Sequence, residues 1–140
     1  MSTEETKRIA LEWIKLVDES QFDKLKALAV PGANWWVNGL TSKASMAGDA
    51  LYTTRIDNLA SFRTTLKSLE LTTRDIIVEG NTAILETDVL GTSHDGKVYR
   101  NNVMMKFVMD STSEEGNLKI REIREYVDLL AMFEFLGITI

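Results

Sequence analysis

The strongest constraint in this sequence is a change of hydrophobic period near its middle. Up to about residue 69 the apolar residues recur at helical spacing. Beyond it, four segments alternate instead: "ELTTRDIIVEG", "NTAILETDVLGTS", "GKVYRNNVMMKFVMD" and "GNLKIREIREYVD". Alternation places successive side chains on opposite faces of a strand. The links between these segments contain "GN", "HDG" and "STSEEGN". Such short links make neighbouring strands antiparallel. Helices followed by a meander of strands give an α+β domain with helices packed on one face of a sheet.

In the first half, Ser2 and Glu5 form a capping box, and Ile9, Trp13, Leu16 and Val17 then share one helical face. The spacing predicts a helix from about Glu4 to Glu19. "QFDKLKALA" reads as a short second helix, stopped by "VPG" at Val30 to Gly32. "ANWWVNG" is a strand ending at a turn, and "LTSKASMAGDALY" an irregular connection or a lid. Ile56, Leu59, Phe62 and Leu66 mark a third helix, in "TTRIDNLASFRTTLKSL". The tail "LLAMFEFLGITI" contains a short final helix, which Asp128 is placed to cap. The 140 residues suffice for one domain, taken as 1–140, with no repeat and no linker.

Several function classes drop out on composition. A net charge of −5 disfavours nucleic acid and anionic membrane surfaces as partners. With no cysteine and one histidine, disulfides, thiolate chemistry and the usual metal sites are not expected. The single histidine, His94, sits in a hairpin turn and reads as exposed. The start lacks a signal peptide's apolar run, and no stretch approaches about 18 apolar residues, so the expectation is a cytoplasmic protein.

One strand carries an oddity. In "AILETDVLG", Glu86 and Asp88 point the same way, together with Ile84 and Leu90. Their face is either solvated, with Ala83, Leu85, Thr87 and Val89 as the core side, or it lines a pocket where acids do chemistry. In "IREYVD", Glu125 shares a face with the apolar Ile123 and Val127, unusually greasy surroundings for a surface acid.

The closing strand, with Arg124, Tyr126 and Asp128 in "GNLKIREIREYVDLL", and the early "WWVNG" resemble the SnoaL-like branch of the nuclear transport factor 2-like superfamily. That resemblance spans nearly the whole chain. It implies a cone-shaped fold, three N-terminal helices packed on a curved antiparallel sheet, enclosing a deep apolar pocket. It also implies pairing into a homodimer through the outer sheet face, an expectation to which an outward Met104 adds. Members of the superfamily include polyketide cyclases, epoxide hydrolases, steroid isomerases, dehydratases and non-enzymatic binding proteins.

Carried over residue by residue, the resemblance puts Glu86, Asp88 and Leu90 on the pocket side. Glu125 falls at the position of a carboxylate that activates water or moves a proton. Trp36 and Asn38 match a tyrosine and an asparagine that hold water in epoxide hydrolases. Asn101, Val103 and Met105 are placed on the inner face as orienter and wall. Two departures stand out. The hydrolase pattern has an arginine where this chain has Glu86, and the acids of the steroid isomerases correspond to Asn38 and Val103. If Glu86, Asp88 and Glu125 converged, burial and like charge would keep one protonated beside an ionised base. The expected function is then a cofactor-independent acid–base enzyme of isomerase or cyclase type, acting on a small, mostly apolar molecule. Its alternatives are an epoxide hydrolase or dehydratase on the same pocket, and a non-catalytic binding or dimerisation module.

Overall fold

A computed structural model describes residues 3–114 and 116–139. Helix α1 (Thr3–Asp18) buries Ile9, Trp13, Leu16 and Val17, the face that the sequence marks as apolar. Ser2, the expected cap, lies outside the described residues. Helix α2 (Phe22–Ala27) follows, with Leu25 buried.

Strand β1 (Ala29–Val37) begins earlier than its aromatic core suggests and runs through Pro31 and Gly32. The pairing shifts between Ala29 and Asn34, and Gly32 takes φ +79°. An irregularity of this kind is where a proline without an N–H can sit in a strand. Part of the supposed connection is a short strand, β2 (Gly48–Leu51).

Helix α3 (Tyr52–Thr64) stops before Leu66, which opens the long strand β3 (Leu66–Glu79). The hydroxyls of Thr64 and Thr65 donate to the carbonyls of Ser61 and Phe62, at 2.6 and 2.7 Å. The helix ends on these local bonds, short of the residue 69 that spacing alone allowed. Strands β4 (Thr82–Ser93), β5 (Val98–Met109) and β6 (Ile120–Tyr126) complete the sheet, and helix α4 (Leu129–Leu136) ends the fold. As expected, Asp128 caps α4, its carboxylate accepting from the Ala131 N–H at 3.2 Å.

The six strands lie in the order β2-β1-β6-β5-β4-β3. The meander is antiparallel, but β1 runs parallel to β6, so the sheet is mixed. Two helices, not three, precede the first strand, and α3 enters only after β2. Helices α1 and α3 pack on one sheet face, here called inner. Their junction is tied by Tyr52, whose hydroxyl accepts from the Trp13 indole at 3.0 Å and donates to the Leu25 carbonyl at 2.5 Å. Among the described residues no helix is long and apolar enough to cross a membrane.

Candidate functional site

Between the helices and the inner sheet face lies a cavity of about 310 Å³. That is near the lower end for small-molecule sites. Its helical wall comes from Trp13, Ile14 and Val17 of α1, Leu59 and Phe62 of α3, and Met132 and Leu136 of α4. The sheet contributes Trp35, Leu71, Val89, Val103 and Met105 among others, and Val127 follows directly on β6. Val103, Met105 and Val127, expected as pocket wall, are among the residues lining this cavity. Ile123 also faces inward but is fully buried in the core and does not reach the cavity.

Glu125 is the one acid lining this cavity among the described residues. Strand periodicity puts it on the inner face between Ile123 and Val127. Its Oε1 accepts from the Trp35 indole N–H at 3.0 Å. That is its single side-chain hydrogen bond among the described residues, and Glu125 also lines the cavity. Burial pushes its pKa above the ordinary carboxylate value. The Trp35 hydrogen bond and the charge of Arg55 pull the other way without cancelling the effect.

Arg55 also lines the cavity, and its own bonds are structural. Nε donates to the Trp35 carbonyl at 3.1 Å, Nη1 to Met46 and Nη2 to Gly48, both at 2.6 Å. One guanidinium thereby fastens the 38–48 connection and β2 against β1. It holds the backbone of the residue whose indole holds Glu125. Nothing in "TTRIDN" distinguishes this arginine from a surface one.

Glu86 and Asp88 do not join Glu125. Strand β4 is offset by one residue from the expected facing, so Leu85, Thr87 and Val89 look inward while Ile84, Glu86, Asp88 and Leu90 look out. The pairing with β5 dictates this, because Thr87 lies opposite Val103 and Leu85 opposite Met105. On the outer face, the Asn102 amide donates to Glu86 and to Asp88, each at 2.9 Å, and Arg74 pairs with Asp88 at 3.0 Å. The Asn102 hydrogen bond, aided by Arg74, holds the Asp88 carboxyl below its ordinary value. That is the opposite of the raised value expected for converging buried acids.

Trp36 is likewise outward. The Arg124 guanidinium lies 3.9 Å from its ring centroid and Tyr126 packs against its edge. Its neighbour Trp35 is the wall of the cavity.

The two asparagines are clamps. Asn38 donates to the Val127 carbonyl at 3.2 Å and accepts from the Val127 N–H at 2.9 Å. Asn101 does the same for Asp128, at 3.0 and 3.1 Å. Both hold the chain where β6 passes into α4, and neither lines the cavity. Thr87, Tyr99, Trp35 and Arg55 are cavity residues that the sequence did not single out. For Tyr99 the signal was present, since it alternates in phase with Asn101, Val103 and Met105. His94 is exposed, as expected. Among the described residues no group of three or more acidic or histidine side chains could hold a metal ion.

No protein-family model matches this sequence, and no curated protein matches it. Solved structures do. An NTF2-like protein from Burkholderia xenovorans LB400 superposes with a TM-score of 0.69, covering 96% of this chain and 97% of its own at 17% identity. An LEH-like epoxide hydrolase of M. tuberculosis gives 0.71 at 17% identity, over 96% and 91% of the two chains. TerC, crystallised with polyporic acid, gives 0.74 at 16% identity, over 94% and 98%.

The chain has the NTF2-like fold. At these identities the likeness extends to architecture and not to chemistry.

Proposed function

We propose that this chain is a cofactor-independent acid–base enzyme of isomerase or cyclase type, of the SnoaL-like kind, acting on a small, mostly apolar molecule. The observation that carries this reading is Glu125: a lone carboxyl, desolvated, tethered at one oxygen and facing an apolar cavity. A carboxylate in such surroundings is more basic than one in water, which suits it to take a proton from a weakly acidic C–H. Trp35 fixes its direction and Arg55 favours its charged form.

A hydrolase is the second reading, with the epoxide hydrolase among the structural neighbours in its favour. Two acids flanking an arginine would be needed for that mechanism, and among the described residues the cavity holds one acid. A molecule such as polyporic acid, the compound in the TerC crystals, is a reasonable first probe of what the cavity accepts. The deciding comparison is Glu125→Gln against Asp88→Asn. Turnover of any substrate found should collapse in the first and stay within about twofold of wild type in the second, as for a surface change. Equal loss in both would return the outer acids to the chemistry and sink the assignment to Glu125.

We also propose a homodimer formed through the outer sheet face. Ile77, Ile84, Val98, Met104 and Tyr126 are all exposed there, at 64, 36, 51, 41 and 47%. Apolar side chains spread over one sheet face favour burial by a partner. The island of Arg74, Glu86 and Asp88 beside them carries both signs of charge, as a self-complementary surface requires. Light scattering should give twice the chain mass at micromolar concentration, and Met104→Lys should give monomer. A wild-type chain that stays monomeric would refute the dimer and leave the cavity assignment untouched.

A further inference from the structure

The cavity holds a polar group with nothing to bond. Thr87 is 2% exposed, lines the cavity, and its hydroxyl has no hydrogen-bond partner among the described residues. Across the sheet it faces Val103 on one side and Thr73 on the other, and along β4 its inward neighbours are Leu85 and Val89. A buried hydroxyl left unbonded is costly, and a valine of the same shape would avoid the cost.

A second hydroxyl in the same wall has a proton to spare. The Asp128 N–H can only donate, so it fixes the oxygen of the Asn101 amide towards itself, at 3.1 Å. The amide nitrogen must then face Tyr99, and it donates to the phenol oxygen at 2.6 Å. The phenol is thus an acceptor from Asn101, and its own O–H has no acceptor among the described residues. Thr87 and Tyr99 both belong to the inner face, on the adjacent strands β4 and β5.

Glu125 lies on the next strand beyond β5, opposite Met105, one inward position along from the Thr87–Val103 pair. Strand spacing of about 4.8 Å and a two-residue step of about 6.8 Å put the Cα atoms of Thr87 and Glu125 about 12 Å apart. With both side chains reaching inward, a ring system fits between the hydroxyl and the carboxyl.

We propose that Thr87 is a specificity-determining ligand contact, donating to a carbonyl or hydroxyl oxygen at the end of the substrate away from Glu125, with Tyr99 as a second donor. The ligand class is an oxygenated ring compound rather than a plain hydrocarbon. This rests on the reading of the cavity as a small-molecule site and adds the polar end of the molecule to it.

The test uses two probes of similar shape, 2-acetylnaphthalene and 2-ethylnaphthalene, with quenching of Trp13 and Trp35 in the cavity wall as the readout. Thr87→Val should weaken the ketone by about tenfold, the worth of one hydrogen bond, and leave the hydrocarbon unchanged. Thr87→Ser, which keeps the hydroxyl, should retain the ketone's affinity. Melting of Thr87→Val at or above the wild-type temperature confirms that the fold is intact, and a ketone affinity unmoved in that variant overturns the proposal. If the hydrocarbon still binds in that case, the cavity reading survives alone. If neither probe binds the wild type, both fall together.

Discussion

Replacing Glu125 by Gln should cut turnover by about 10²–10⁴-fold, the usual worth of a positioned proton-transfer group. The fold should tolerate the change, since the Gln carbonyl can still accept from the Trp35 indole. It should even gain stability at neutral pH. Burial raises the carboxyl's pKa in the folded chain above its value in the unfolded one, near 4.5. At pH values between the two, the native state keeps a proton that the unfolded state has released. Stability therefore falls as pH rises from about 4.5 to the folded pKa, and stays reduced above it. Below that window Glu125 is neutral in both states, so wild type and variant should melt together. Calorimetry from pH 4 to 8 checks the divergence, with the variant melting higher at pH 7. A variant that melts lower at pH 7 would show that the charged form is held more favourably than burial implies. Trp35 provides an independent reading, because its emission should titrate with Glu125 and go flat in the variant.

Arg55→Ala should be the most damaging single change at the site's perimeter. It strips partners from the carbonyls of Trp35, Met46 and Gly48 at once. At about 1 kcal/mol for each bond, the loss is about 3 kcal/mol, somewhat less where water can replace the guanidinium. Lysine is a poor substitute, since a single ammonium on a flexible stem cannot copy a planar fork that reaches three carbonyls. Arg55→Lys should recover about a third of the loss. Urea unfolding would measure both, and a lysine variant as stable as wild type would mean that the three bonds contribute little. Removing the arginine also removes the positive charge that opposes the raised pKa of Glu125. Any activity left in Arg55→Gln should therefore need a higher pH than wild type.

The facing of β5 and β6 was legible because their apolar positions keep one phase through Val103, Met105, Ile123 and Val127. Strand β4 was not legible by itself. It has aliphatic residues on both faces, Leu85 and Val89 on one and Ile84 and Leu90 on the other, and a slip of one residue exchanges them. The hairpin contained the answer. Ser93 and Lys97 close the turn, the Ser93 N–H donating to the Lys97 carbonyl at 2.8 Å, and from there Thr87 must face Val103. An inward Val103 and an inward Asp88 are incompatible in that register. The adjacent Trp35 and Trp36 posed the same problem in β1, where one of two tryptophans had to be outside. Arg55 was beyond reach for another reason. Its three partners are backbone carbonyls, which leave no trace in residue identity.

The parallel pairing of β1 with β6 has a consequence for how the molecule comes into being. Trp35 and Glu125 are separated by 90 residues, and their hydrogen bond closes only when the last strand docks beside the first. Contacts so distant in sequence carry a loop-closure cost that nearer ones do not, and they tend to form late. The β3–β4–β5 meander can assemble as the chain emerges from the ribosome, but a nascent chain that stops short of β6 has an incomplete sheet and a cavity wall without Glu125. Completion of the sheet and completion of the cavity's polar wall are therefore one event.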